Sequence, residues 1–192
     1  MLDEKRINEA KENTLKLLES GKIFKGKSLF TEFFLKNSAN SLDCAKFLFK
    51  FSSDKNLSAE HGFPNFDGFL WVINASYYSM FYMAKALLEN NGIKIEKDLG
   101  IHSTIFDAFV YCFYSNGKIQ RKFIEDFNQA GEEASELLGK EKAFKIVGDY
   151  YGEKDKRTNF TYEMGQIVIE SKAKTSLERA IKFSAEMQKL LK

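Results

Sequence analysis

Asn74-Ala-Ser-Tyr-Tyr-Ser-Met-Phe-Tyr-Met-Ala-Lys-Ala-Leu-Leu88 reads as the greater part of one long helix. Around it, Leu70, Ile73, Tyr77, Met80, Phe81, Ala84, Leu87 and Leu88 recur at steps of three and four and share one face. Trp71, Ala75, Tyr78, Tyr82 and Lys85 fall on a second face. A helix that is apolar on more than one side is a central helix with several neighbours. Both stripes are therefore expected to pack, with Tyr77 and Tyr78 counted among the core residues.

Outward from this helix, predicted to span about Asp67 to Asn90, the pattern stays helical. Residues 3–20 place Ile7, Ala10, Thr14, Leu17 and Leu18 inward, and Gly21 ends them. Ser28 to about Phe51 carries a stripe of Phe30, Phe34, Leu42, Ala45 and Leu48. Segment 52–65 is polar, broken by Gly62 and Pro64, and reads as a long connection that is a candidate ligand loop. After the Asn91-Gly92 stop, Ser103 or Thr104 is expected to cap a helix bearing Ile105, Phe106, Phe109, Val110 and Phe113. Phe123, Phe127, Ala130, Ala134 and Leu137 mark another, expected to be interrupted at Gly139 and followed by a shorter apolar segment. Val168-Ile169 is a candidate extended piece without an evident partner strand. Ala173, Leu177, Ala180, Ser184, Met187 and Leu191 give the final helix. The expectation is an all-α, up-and-down bundle of five to seven helices forming one domain over residues 1–192.

Composition narrows the function classes. The chain has 192 residues, a net charge of +2, one proline and nineteen phenylalanines. Near-neutral charge gives no global signature of a nucleic-acid binder, which leaves only a local patch for that role. Cys44 and Cys112 lie in apolar helical segments and are expected to be buried thiols in a reducing compartment. No signal peptide and no membrane-length apolar run are evident, so a cytoplasmic protein is expected. His61 and His102 are the only histidines and no ligand spacing exists, so neither a metal nor a cofactor is expected. The mixed charge runs Lys140–Lys145 and Lys154–Arg157 read as solvated faces, and His61 as a surface residue.

The polar cluster worth weighing is Arg157-Thr-Asn159-Phe-Thr-Tyr162. On a helix, Asn159 and Tyr162 meet at a spacing of three, and Arg157 shares a face with Thr161. An arginine, an amide and a phenol on one short surface can grip phosphate and stack a base. The plainer alternative pairs Arg157 with Asp155 or Glu163 and sinks Tyr162 into a groove between helices. His102 lies just before a predicted helix start, where the dipole favours a neutral imidazole; capping or loop anchoring is the expected role and catalysis the alternative.

The Ala75–Leu88 stretch, Gly92, Ile101-His-Ser103 with its aromatic helix, Arg157-Thr-Asn-Phe-Thr-Tyr162 and the final Phe183-Ser-Ala-Glu-Met-Gln-Lys-Leu-Leu191 come in an order that resembles the HEPN superfamily. The small archaeal and bacterial HEPN proteins are most similar, and the resemblance covers about residues 28–192. It implies a homodimeric bundle with a cleft where an arginine, a polar residue and a histidine approach their symmetry mates. Many such proteins cleave RNA without metal as toxins, some with a minimal nucleotidyltransferase antitoxin. The family motif spaces a histidine four to six residues beyond the arginine. Here Arg157 matches the arginine, Asn159 is a plausible polar companion, and Tyr162 stands where the histidine would be.

Metal-free RNA cleavage needs a base and an acid. A phenol titrates near ~10 against ~6.5 for imidazole, so Tyr162 as a base demands roughly 4 kcal/mol of anion stabilisation. The resemblance therefore implies nucleotide or RNA binding with weak or no nuclease activity, in a toxin–antitoxin-like setting. The alternatives are an active metal-independent endoribonuclease and a non-catalytic scaffold for a separate nucleotidyltransferase.

Overall fold

A computed structural model describes the backbone at residues 2–96, 100–148 and 158–191, with side chains in those ranges outside 137–148 and 158–168. In chain order come α1 (Glu4–Glu19), β1 (Ile23–Lys25), α2 (Thr31–Ser53), α3 (Lys55–Glu60), α4 (Phe69–Asn90), β2 (Ile93–Ile95) and α5 (Ile101–Phe109). A π-helical turn (Val110–Tyr114) continues α5, and α6 (Arg121–Gly148) and α7 (Thr158–Gln188) complete an all-α bundle.

Fifteen of the twenty-two α4 residues are buried, which makes it the central helix its double stripe predicts. The reason is a run of small residues between large ones. Ser76, Ser79, Ala84 and Ala86 let neighbours close in, while Met80, Met83, Leu87 and Leu88 fill the space between. Antiparallel α2 approaches so closely that the Ser38 hydroxyl donates to the Ser79 carbonyl at 2.8 Å. On another side α7 runs parallel to α4, with the Ser184 hydroxyl 3.5 Å from that of Ser79. Antiparallel to α7, α6 brings Phe127 against Phe183 at 5.6 Å between ring centroids. Phe109 meets both rings, at 5.7 and 5.8 Å, so the bundle's centre is built from phenylalanines.

Two part-buried ion pairs tie helices together. Arg179 of α7 donates to Glu133 of α6 at 2.9 Å, and the Ser176 hydroxyl donates to the same carboxylate oxygen at 2.9 Å. Arg6 of α1 donates to Asp107 of α5 at 2.6 Å. Among the described residues no helix is long and apolar enough to cross a membrane.

Several details differ from the sequence reading. A two-stranded antiparallel sheet pairs Ile23 with Ile95 and Lys25 with Ile93. Three-residue strands are too short to leave a period-two pattern, so neither was foreseen. Gly92 makes the sheet possible: its φ is 68° and a Cβ there would stand 2.8 Å from the Gly26 carbonyl. Val168-Ile169 is helical within α7, and α6 continues through Gly139, because neighbouring turns carry a lone weak position. The 52–65 connection contains α3, started by Asp54, whose carboxylate accepts from the Leu57 amide at 3.0 Å.

The α2 stripe is mostly half-exposed: Phe34, Leu42 and Leu48 are half-buried, Phe30 is open to water, and Ala45 is the one member fully buried. The second stripe of α4 is likewise incompletely covered, since Trp71 is 54% exposed and Tyr78 sits at the surface. Cys44 is exposed on α2 rather than buried. Cys112 is half-buried, and burial pushes its thiol up.

Candidate functional site

Arg157 lies outside the described residues. Asn159 and Tyr162 fall in the first turns of α7, where the backbone alone is described, so the groove expected between these three side chains also lies outside the description.

His102 is described in full, and it is not where the sequence placed it. The helix begins at Ile101 with Gly100 as its cap residue, so His102 sits inside the first turn. Neither Ser103 nor Thr104 is the cap. Their hydroxyls donate back to the Gly100 carbonyl at 2.9 and 3.0 Å, as short hydroxyl side chains do one turn into a helix.

The imidazole turns from α5 onto the middle of α4. The Tyr77 hydroxyl lies 2.7 Å from His102 Nδ1. The ring stacks on Phe81 with centroids 4.5 Å apart and meets Tyr78 edge-on at 6.0 Å. Burial, and then the positive charge of Lys85, lower the His102 pKa. Burial, and then the neighbouring Tyr78, push Tyr77 up to about 12. Near neutral pH the phenol keeps its proton and the imidazole is uncharged. In the Nε2–H tautomer the phenol donates to Nδ1, and in the Nδ1–H tautomer the ring donates to the phenol oxygen.

This pair lines a cleft of about 480 Å³. Tyr77, Phe106 and Phe127 supply aromatic walls from α4, α5 and α6, and Ser103, Asn128 and Glu132 supply polar groups. Gly131 lines the cleft beside Tyr77, where a Cβ would come 3.4 Å from the phenol ring. Asn128 Nδ2 donates to Glu132 Oε1 at 2.8 Å, which leaves the amide oxygen and the second carboxylate oxygen as acceptors. Arg6 closes another side, its guanidinium 5.0 Å from the Phe106 ring centroid and held by Asp107. Asn13 donates to the other Asp107 oxygen at 3.0 Å.

Flat aromatic walls with an acceptor-rich polar edge suit a planar heterocycle that carries N–H groups. They suit proton transfer poorly: a neutral imidazole can accept a proton, but a phenol near 12 is a weak acid to set beside it. Among the described residues no group of three His, Cys, Asp or Glu side chains could hold a metal ion.

The sequence marked His102 and Tyr77 separately, one as an anchor and one as core. Twenty-five residues apart, they carry no local signal that they meet. Asn128 and Glu132 were missed altogether, since polar residues on a helix face look like solvated surface until another helix stands opposite. Compared with protein-family models, curated proteins and solved structures, the chain matches none.

Proposed function

We propose that this chain is a HEPN-type protein that binds nucleotide or RNA, with weak or no nuclease activity. The observation that carries the reading is the Tyr77–His102 cleft, whose size and mixed aromatic and hydrogen-bonding walls fit one nucleobase. The all-α bundle built around a double-striped central helix is compatible with the same reading. In it, the base stacks against the cleft's rings and its N–H edge meets Asn128 and Glu132. The resemblance adds Arg157, Asn159 and Tyr162 as candidate phosphate contacts. The protein acts as a homodimer in the cytoplasm, beside a separate minimal nucleotidyltransferase in a toxin–antitoxin-like pair.

Titration with mononucleotides and short single-stranded RNA, in chelator and at two salt concentrations, tests this. Saturable binding that weakens with salt is expected, because phosphate contacts release counterions. Asn128→Ala should weaken base-dependent affinity, and Arg157→Ala should weaken all phosphate-bearing ligands. No binding of either ligand at low salt sinks the proposal. Rapid RNA cleavage in chelator, abolished by Arg157→Ala, would replace it with the active-ribonuclease reading.

A further inference from the structure

A second and wider groove, of about 870 Å³, opens where the small sheet, the chain from Phe24 to Phe34 and the C-terminal half of α4 meet. Its surface is largely apolar, with Phe24, Phe30, Phe34, Leu88, Ile93 and Ile105 among its lining residues. Large apolar side chains are left in water along it: Leu29 is 71% exposed and Phe30 55%. Single exposed apolar residues need no explanation, but a contiguous set around one concavity marks a binding surface.

The groove is held open by Glu89. Its Oε1 accepts from the amides of Leu29 and Phe30, at 2.8 and 2.9 Å, and from the Lys94 ammonium. The Ser28 hydroxyl donates to the Glu89 carbonyl at 2.7 Å. Burial pushes this carboxyl up, but Lys94 and the two amides outweigh it and hold the carboxyl below its usual range. The segment carrying Leu29 and Phe30 is thereby pinned as a wall rather than free to collapse into the space.

Among the described residues, one charge inside the walls has no counterpart. Lys94 is matched by Glu89, and Lys27 and Glu96 sit at the exposed rim. Lys85 is half-buried, its ammonium 4.3 Å from the Phe34 ring centroid and 5.7 Å from that of Phe81. No carboxylate lies within ion-pair distance of it among the described residues; it feels Glu89 only at longer range. A half-desolvated ammonium against ring faces is stabilised by them but still lacks an acceptor.

We propose that this groove binds a fatty-acid-type carboxylate, its hydrocarbon chain along the apolar walls and its carboxylate paired with Lys85. The single unmatched charge fits a monoanion. The largely apolar walls favour a hydrocarbon chain over a ligand that needs polar partners along its length. A folded protein partner fits less well, since fifteen residues line the groove where a stable interface engages roughly 20–30 a side.

Calorimetric titration of the full chain with decanoate, below its micelle concentration, tests the assignment. Saturable binding to one site is expected, weakened about tenfold or more by Lys85→Met and largely retained by Lys85→Arg. Decanol should bind more weakly than decanoate and be indifferent to Lys85→Met. Leu29→Glu, at an exposed position, should repel decanoate while leaving thermal unfolding and nucleotide titration unchanged, which separates this site from the Tyr77–His102 cleft. Absence of saturable decanoate binding overturns the proposal, as does equal binding by wild type and Lys85→Met. So would an acidic amphipathic peptide, or a second copy of the chain, occupying the groove in place of decanoate.

Discussion

The Tyr77 hydroxyl and His102 Nδ1, brought to 2.7 Å by the crossing of α4 and α5, form a neutral hydrogen-bonded pair at the edge of a cleft. Each is shifted away from charge, the phenol upward and the imidazole downward, and burial is the leading cause for both. Both shifts have measurable consequences.

The depressed imidazole sets a pH dependence. Its folded-state pKa lies below the usual 6.5, so the unfolded chain takes up a proton first as pH falls. The contribution of His102 to stability is present above about 6.5 and is lost as pH drops from there through the folded-state pKa. Denaturant midpoints measured across that range should fall with pH in wild type and less steeply in His102→Gln. An NMR titration of the ring should show a midpoint below 6.5 that rises in Lys85→Met, because a repelling charge is removed. A midpoint at or above 6.5 in wild type contradicts the geometry.

Tyr77 gives the opposite sign. Unfolded tyrosines ionise near 10, while this one waits until about 12, so its contribution to stability is lost as pH rises past 10. An absorbance titration at high pH should show a late-ionising tyrosine that is lost in Tyr77→Phe.

Core and surface rings should separate sharply under substitution. Phe127 is 2% exposed and touches Phe109, Phe106 and Phe183, so Phe127→Ala should cost about 3–5 kcal/mol in chemical denaturation. Trp71→Ala, at an exposed position on α4, should stay within about 0.5 kcal/mol.

Arg179 should behave as a buried charge. Arg179→Met leaves Glu133 without its ion-pair partner and removes the leading one of the positive charges around Asp126, at a cost of about 3–5 kcal/mol. Lys46→Ala removes an exposed pair with Asp43 and should cost at most ~0.5 kcal/mol.

Backbone freedom should matter at Gly92 more than at Gly62. Both have positive φ, 68° and 84°, but a Cβ at Gly62 meets open space and one at Gly92 meets a carbonyl oxygen at 2.8 Å. Gly62→Ala should cost the left-handed penalty alone, about 1–2 kcal/mol. Gly92→Ala should cost more and should speed hydrogen exchange at the Gly26 amide, which bonds to the Gly92 carbonyl at 2.8 Å.

Where local pattern carries the information, the sequence reading and the structure agree. The apolar step of three and four across Ile73, Met80, Ala84 and Leu87 announces a helix buried on its main face, and those four residues are within 1% of complete burial. Ile7, Ala10 and Thr14 do the same for α1. The pattern erred where coverage depends on another element. Trp71 and Tyr78 look like core on the helix wheel, yet nothing among the described residues seals that face, and Cys44 sits on the outer side of α2 for the same reason. Short strands and helix starts slipped by, since three residues or one hydroxyl give too little period to read.

Helical period, chain length and aromatic content were thus enough to determine an all-α bundle with α4 at its centre, because a repeating apolar face must be buried along its whole length. The meeting of Tyr77 with His102, the placing of the Asn128–Glu132 edge beside that pair and the seating of the Lys85 ammonium on the Phe34 ring were decided only when elements distant in sequence came together. Hydrogen bonds and unmatched charges depend on distances of a few ångströms between separate elements, and no local spacing encodes those.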